Sequence, residues 1–108
     1  MIRKSSKIYV AGHNGLVGSA IVRELSRNGY KNVITANKKK LDLLDSTKTL
    51  RFLKQNKPTF IFIAAAKVGG IYSNNKYKAD YIYENLTIQN NLIHGAYLAG
   101  IKNIIFLG

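Results

Sequence analysis

The chain has 108 residues, of which 46% are hydrophobic and 20% charged, and it contains nine Gly, one Pro and no Cys. This length allows one domain at most, and the apolar fraction excludes intrinsic disorder and collagen-like repeats. Without cysteine there is no disulfide framework, no thiolate metal site and no cysteine nucleophile, and no metal site of another kind is predicted.

The charge balance is unusual, because 17 Lys and Arg against five Asp and Glu give a formal net charge of +12. Such a field attracts nucleic acid, anionic lipid headgroups or phosphorylated small molecules, although lysines spread over a solvated surface give the same total. No apolar run approaches the ~18 residues of a membrane span, and the charged start has no long apolar stretch behind it. We expect a soluble cytoplasmic protein.

The first predicted strand is the apolar run Ile8–Ala11, which stops at a glycine. Val17, Ile21 and Leu25 then recur at a spacing of four and predict an amphipathic helix, which ends at Gly29. The next strands are predicted over residues 33–36, 60–64 and 103–107. The helices between them are one capped by Asp45 or Ser46 and ended by Pro58, and a long one over about 79–99 that Gly100 closes.

Strands that are apolar throughout and separated by helices predict a parallel sheet covered on both faces. Right-handed crossovers then give a doubly wound, Rossmann-like α/β fold. The chain stops directly after the fourth strand. We therefore expect residues 1–108 to be the N-terminal part of a dinucleotide-binding domain in a longer protein, with the substrate domain absent.

A glycine-rich turn lies between the first strand and the first helix, and it reads Gly12-His13-Asn14-Gly15-Leu16-Val17-Gly18. Gly12 allows the tight turn, Gly15 lets the backbone approach a pyrophosphate, and Gly18 permits close packing of helix on sheet. The helix start offers unpaired N–H groups and a positive dipole end. The spacing Gly-x-x-Gly-x-x-Gly is typical of short-chain dehydrogenase/reductases.

The end of the second strand indicates which dinucleotide is preferred. NAD-binding proteins carry an Asp or Glu there that accepts hydrogen bonds from the ribose 2′-OH. Here the segment is Asn37-Lys38-Lys39-Lys40, and the first carboxylate is that of Asp42. Lysines attract a 2′-phosphate, which a carboxylate would repel, so NADP is predicted over NAD; a merely solvated lysine run is the alternative.

Further motifs run across nearly the whole chain. They are residues 11–21, Leu41-Asp42-Leu43-Leu44-Asp45, Ala64-Ala65-Ala66-Lys67-Val68-Gly69-Gly70-Ile71, Asn74-Asn75, Ala79-Asp80, Ile82-Tyr83 and Asn85. In these residues the chain resembles the GDP-L-fucose synthase family of extended short-chain dehydrogenase/reductases. The run 64–71 is the most specific part, because short-chain reductases at large share only the glycine turn.

The resemblance implies an NADPH-dependent enzyme whose substrate is a GDP-sugar. Such an enzyme epimerises GDP-4-keto-6-deoxy-D-mannose at C3 and C5, reduces its C4 ketone, and forms a homodimer through long helices when complete. By the same resemblance, residues 12–18 hold the pyrophosphate, residues 38–43 surround the adenine ribose, and Asp42 and Leu43 lie beside the adenine. The remaining cofactor contacts implied are Ala64, Ala65, Ala66, Ile88, Leu107 and Gly108, together with Lys38, Lys39, Lys40 and Leu41 of the ribose segment.

The chain departs from the family in two respects. The family commonly has Arg where Asn14 and Lys38 stand, which lowers the expected preference for NADPH. The family's catalytic Ser would follow Gly108, with its Tyr-x-x-x-Lys pair and its Cys and His further on, so no catalytic residue is predicted here and the isolated chain is expected to be inactive. Tyr72 and Lys76 have the spacing Tyr-x-x-x-Lys, but they follow the third strand instead of the fourth.

Two alternative functions remain. One is another sugar-nucleotide epimerase or dehydratase of the same class, because substrate specificity would lie outside these residues. The other is a basic nucleic-acid-binding module, in which Tyr72, Tyr77, Tyr81 and Tyr83 would stack on bases beside Lys76 and Lys78. That stretch contains no recognised nucleic-acid motif and matches the reductase pattern, so we expect neither nucleic acid nor membrane as a partner.

Overall fold

A computed structural model describes residues 2–64 and 75–107, with the backbone alone at 75–78 and 81. Four strands alternate with three helices along the chain. In order they are β1 (Ile8–Ala11), α1 (Leu16–Arg27), β2 (Val33–Ile34), α2 (Ser46–Asn56), β3 (Phe60–Ile63), α3 (Asn75–Ala99) and β4 (Asn103–Phe106).

The four strands form one parallel sheet in the order β2-β1-β3-β4. The chain moves from β1 outwards to β2 and then crosses back to β3 on the other side of β1. This reversal confirms the predicted doubly wound α/β fold, and it places a switch point at the carboxyl ends of β1 and β3. There the Ala64 amide donates a 2.9 Å hydrogen bond to the Ala11 carbonyl, which holds the two strand ends together.

One face of the sheet is covered by α2 and α3. Tyr9 and Ile61, on the two central strands, are fully buried against Leu53 of α2 and Leu92 of α3. The Tyr9 and Phe52 rings lie 4.9 Å apart, and burial raises the pKa of the Tyr9 hydroxyl well above its usual value. We call this side the closed face.

The other side carries α1 and is called the open face. Its strand residues Ile8 and Val10 are fully buried, but Ile21 and Leu25 of α1 are only half-buried. Val17, predicted to belong to the buried stripe of this helix, is 52% exposed. It lies in the first turn of α1, where the helix begins beyond the end of the short strand β1.

Several predicted ends of strands and helices differ from those in the structure. The second strand stops at Ile34, because the following residues turn away towards a loop at residues 37–40. The long helix begins at Asn75, four residues before the predicted start, because the apolar stripe that marked it begins later than the helix itself. β4 lies at the sheet edge, with Ile105 and Phe106 exposed.

The ends of α2 follow from single residues. The Asp45 side chain accepts a 2.9 Å hydrogen bond from the Lys48 amide, which confirms Asp45 as the cap. Lys57 has a left-handed backbone (φ +43°) and ends the helix directly before Pro58. Within residues 2–64 and 75–107, no helix combines the length and apolarity needed to cross a membrane.

Candidate nucleotide-binding site

The turn between β1 and α1 depends on two of its glycines. Gly12 has a positive φ of 88°, and its carbonyl accepts a 3.1 Å hydrogen bond from the Gly15 amide. A Cβ at Gly18 would lie 1.9 Å from the Gly12 carbonyl oxygen. Gly18 therefore lets α1 pack closely against the turn that precedes it. The prediction was that Gly18 permits close packing of the helix on the sheet.

The N-terminus of α1 has no internal partner for its first amides. Gly15 occupies the cap position without a side-chain hydrogen bond, and the first turn contains no acidic residue. The first N–H groups of a helix have no carbonyl within the helix to bind, and they lie at the positive end of its dipole. Leu16 is 88% exposed there, so this end of the helix is accessible to an anion.

A cavity of about 330 Å³ opens beside this helix end. Its wall is built from four parts of the chain: the glycine turn, the segment after β2, the loop before α2, and α3. The lining residues are Gly12, His13, Asn14, Gly15, Ala36, Asn37, Lys38, Leu41, Asp42, Leu43, Leu44, Glu84 and Ile88. This volume lies at the lower end of the range for small-molecule sites.

The lysine segment forms a tight turn. The Lys40 amide donates to both the backbone carbonyl and the side-chain oxygen of Asn37, at 3.0 and 2.9 Å, and the Leu41 amide donates to the same carbonyl at 2.8 Å. All three lysines are exposed, and Lys38 lies in the cavity wall while Lys39 and Lys40 do not. The turn therefore brings one of the three lysines to the cavity.

The loop between Leu41 and Asp45 contributes a further part of the wall. Leu41 is buried in the core, and the Asp42 side chain accepts a 3.0 Å hydrogen bond from the Leu44 amide. The carbonyl of Leu43 accepts a 2.8 Å hydrogen bond from the side-chain amide of Asn91, on α3. The loop is thus shaped by its own carboxylate and joined to a helix distant in sequence.

Nine of the predicted cofactor contacts line one cavity, although they come from separate parts of the chain. They are Gly12, His13, Asn14, Gly15, Lys38, Leu41, Asp42, Leu43 and Ile88. Leu16, Val17 and Gly18 continue from the turn into α1, and Ala64 and Leu107 follow β3 and β4. Ala65, Ala66 and Gly108 lie outside the described residues, as do Tyr72 and the side chains of Lys76, Tyr77, Lys78 and Tyr81.

Sequence reasoning missed four residues of the cavity wall. Ala36 and Asn37 directly precede the lysine run, and Leu44 follows Asp42-Leu43, so widening each predicted segment by one or two residues would have found them. Glu84 had no such signal, because its position depends on how α3 packs across the sheet. It adds a second acidic residue to the wall besides Asp42.

A parallel sheet with a glycine turn at its switch point and an uncapped helix facing a cavity defines a Rossmann-type α/β domain. Comparison with known proteins gives the family. Residues 8–108 match the model of the NAD dependent epimerase/dehydratase family. The chain belongs to this family.

Individual relatives agree with that assignment. The chain is 52% identical over 108 residues to GDP-L-fucose synthase 1 from Arabidopsis thaliana, covering all of this chain and 33% of the relative. It is 41% identical over 102 residues to the GDP-L-fucose synthase of Escherichia coli strain K12, covering 94% of this chain and 32% of the relative. This chain therefore spans about a third of the length of these curated relatives.

Solved structures give the same picture. The GDP-mannoheptose C4 reductase from Campylobacter jejuni, solved with NADP bound, superimposes with a TM-score of 0.93 at 39% identity. The match covers 100% of this chain and 34% of the reductase. The fold identified here is thus shared with about a third of a solved GDP-sugar reductase.

Proposed function

We propose that this chain is the NADP-binding portion of an enzyme of the GDP-L-fucose synthase type. The observation that carries the proposal is the uncapped N-terminus of α1 opening onto a cavity with Lys38 in its wall. A helix end without a carboxylate suits a pyrophosphate, and an ammonium group at the ribose end suits a 2′-phosphate.

The residues of the cavity fit the adenosine half of the cofactor. Residues 12–18 would hold the pyrophosphate, Lys38 would lie at the 2′-phosphate, and Asp42 with Leu43 would lie beside the adenine. Ala64 and Leu107, directly after β3 and β4, would extend the site towards the nicotinamide, and Ile88 would contact the cofactor from α3. Bound NADPH would supply the hydride for reduction of a ketone.

The reaction proposed for the whole enzyme is epimerisation of GDP-4-keto-6-deoxy-D-mannose at C3 and C5 followed by reduction of its C4 ketone. The identity to GDP-L-fucose synthases of a plant and a bacterium supports it. The catalytic Ser, Tyr and Lys would lie beyond residue 108, so these 108 residues alone are expected to bind NADPH without turnover. A cytoplasmic location is part of the same proposal.

Titration of the chain with NADPH and NADH tests the cofactor assignment. NADPH should bind more tightly, and Lys38→Ala should weaken NADPH binding about tenfold while leaving NADH binding nearly unchanged. Lys57→Ala is the control. It removes an equal charge between the end of α2 and the amino end of β3, and Lys57 does not line the cavity. If both variants weaken NADPH equally, the net charge is responsible and Lys38 has no specific role. If neither dinucleotide binds, the proposed function is wrong.

A second candidate is a GDP-sugar C4 reductase without epimerase activity. It is favoured by the close superposition on the GDP-mannoheptose C4 reductase. The complete enzyme distinguishes the two functions when it is assayed with GDP-4-keto-6-deoxy-D-mannose in deuterated water. Incorporation of deuterium at C3 and C5 supports the fucose synthase type, whereas reduction without incorporation supports the second candidate.

A homodimer of the complete enzyme is also proposed, with α3 at its interface. Four large apolar residues form one exposed stripe along this helix: Ile82, Leu86, Ile93 and Tyr97. Their spacing of four, seven and four residues keeps them on one side of the helix. Ile93→Lys should convert the dimer to a monomer in light-scattering measurements, whereas the exposed Gln55→Lys of α2 should leave it intact.

A further inference from the structure

We propose that Asn91 is a positioning residue for the adenosine cavity, a role that rests on the proposed function. Its side-chain amide donates a 2.8 Å hydrogen bond to the carbonyl of Leu43, across 48 residues of sequence. Both residues are half-buried. Asn91 itself is absent from the cavity wall, whereas Leu43 and its neighbour Asp42 are part of it.

Three further hydrogen bonds of this loop are local. The Leu44 amide binds the Asp42 carboxylate at 3.0 Å, and the Asp45 amide binds the Asp42 carbonyl at 3.0 Å. The Asp45 side chain then caps α2 through the Lys48 amide. These bonds fix the shape of the loop, and the bond from Asn91 fixes where that shape lies relative to α3.

Asn91 is a well-placed donor because the next turn of α3 is anchored in the core. Leu92 and Ala96 are fully buried. At Gly95 a Cβ would lie 3.1 Å from the Leu53 side chain and 3.8 Å from the Leu50 Cα. The absence of a side chain at Gly95 therefore lets α2 and α3 approach closely, and this approach brings the Asn91 amide within reach of the loop.

The bond from Asn91 to Leu43 therefore makes the position of the cavity wall depend on how α2 and α3 pack. Without it, the segment of Asp42 and Leu43 would lose one of its bonds to α3, and its local hydrogen bonds would open more often. A ligand whose adenine lies against that segment would then have to order it on binding, at a cost in affinity. Contacts at the glycine turn and at Lys38 would be unaffected.

Asn91→Ala tests this role in the full chain, with two control variants. Asn103→Ala removes a long-range bond of the same kind, from its side-chain amide to the Thr59 carbonyl at 3.2 Å, and Asn56→Ala removes a half-buried one to the Phe52 carbonyl at 2.9 Å. Both control residues lie near the amino ends of β3 and β4, and neither lines the cavity. Affinity is measured for NADP⁺ and for its hypoxanthine analogue, in which the adenine amino group is replaced.

We expect Asn91→Ala to weaken NADP⁺ binding about three- to tenfold, in line with the loss of one buried hydrogen bond. The preference for NADP⁺ over the hypoxanthine analogue should fall as well, because the adenine wall is what moves. Neither control should change that preference. Equal losses in all three variants would overturn the proposal, since they would indicate general destabilisation.

Hydrogen exchange of the Leu44 and Asp45 amides provides a readout that needs no ligand. Both should exchange faster in Asn91→Ala than in either control, and unchanged exchange would overturn the proposal even if the wild-type chain bound no dinucleotide. If Asn91→Ala fails to fold, Asn91→Asp keeps the side-chain volume and has no proton to donate when ionised. It should show the same faster exchange, and protection equal to that of the wild type would also overturn the proposal.

Discussion

The two faces of the sheet are made from equally apolar strands, yet they are packed to different degrees. On the closed face Tyr9, Ile61, Leu53 and Leu92 have at most 1% of their surface exposed. On the open face Phe60 and Phe62 of β3 are only half-buried, although their ring centroids lie 5.5 Å apart, and Ile105 of β4 is 37% exposed.

The two faces differ in how many helices cover them and in where those helices lie on the sheet. Two helices pack against each other on the closed face, and the core they form with the sheet includes residues of all four strands. On the open face the single helix α1 packs against β1 and β2, at one side of the sheet. Apolar residues in a strand therefore show that burial would be favourable, but neighbouring helices decide whether it occurs.

The largest effect is expected from Gly18→Ala, which would separate α1 from the turn at its start. The added Cβ would lie 1.9 Å from the Gly12 carbonyl oxygen, and backbone atoms cannot be relieved by a rotamer change. We expect a loss of at least about 3 kcal/mol of unfolding free energy, measured by urea denaturation. Gly15→Ala is the matched control, because its Cβ would lie 3.5 Å from the same oxygen. Similar losses in both variants would contradict this account.

A leucine on each face measures the difference in packing directly. Leu53→Ala on the closed face should cost about 2–5 kcal/mol, because it leaves a cavity in a fully buried position. Leu25→Ala on the half-buried side of α1 should cost about 1 kcal/mol, because less apolar surface returns to water. Equal losses in chemical denaturation would show that the open face is packed as tightly as the closed one.

Much of the fold could be predicted from local patterns. Ile8–Ala11 ends at a glycine, and this strand was predicted to the residue. The Asp45 cap and the stop before Pro58 are decided within a few residues, so the sequence contains what determines them. The exposure of Val17 could not be predicted, because it depends on where α1 lies relative to the sheet, which no periodicity specifies.

The candidate site likewise contains residues that local patterns predict and residues that only tertiary packing brings together. The glycine turn and Lys38 were predicted as site residues from the chemistry of phosphate binding, and Gly12, Gly15 and Lys38 line the cavity. Glu84 and Asn91 were missed, since Glu84 lines the cavity from α3 and Asn91 bonds from the same helix to Leu43, 48 residues away in sequence. Such contacts depend on the angle and distance between helices, and those follow from tertiary packing.

The smallest effect concerns Tyr9, whose buried hydroxyl makes the closed face sensitive to alkaline pH. Burial raises the pKa of this phenol in the folded chain, so the folded state keeps its proton at a pH where the unfolded chain has lost it. The stabilisation is fully present below about pH 10, the ordinary value for tyrosine, and is lost as the pH rises beyond it. Above that pH the unfolding free energy should fall by up to about 1.4 kcal/mol per pH unit from this group alone.

Melting curves of the wild type and of Tyr9→Phe between pH 7 and 11 isolate the contribution of the Tyr9 hydroxyl to the unfolding free energy, because every other titrating group is common to both chains. The wild type should lose stability more steeply than Tyr9→Phe above pH 10. Tyr30→Phe, which changes a half-buried ring beneath Lys4 on the open face, should keep the steep wild-type profile because Tyr9 is still present. Parallel profiles for the wild type and Tyr9→Phe would mean that water reaches the Tyr9 hydroxyl, and the closed face would then be less completely packed than its buried surface indicates.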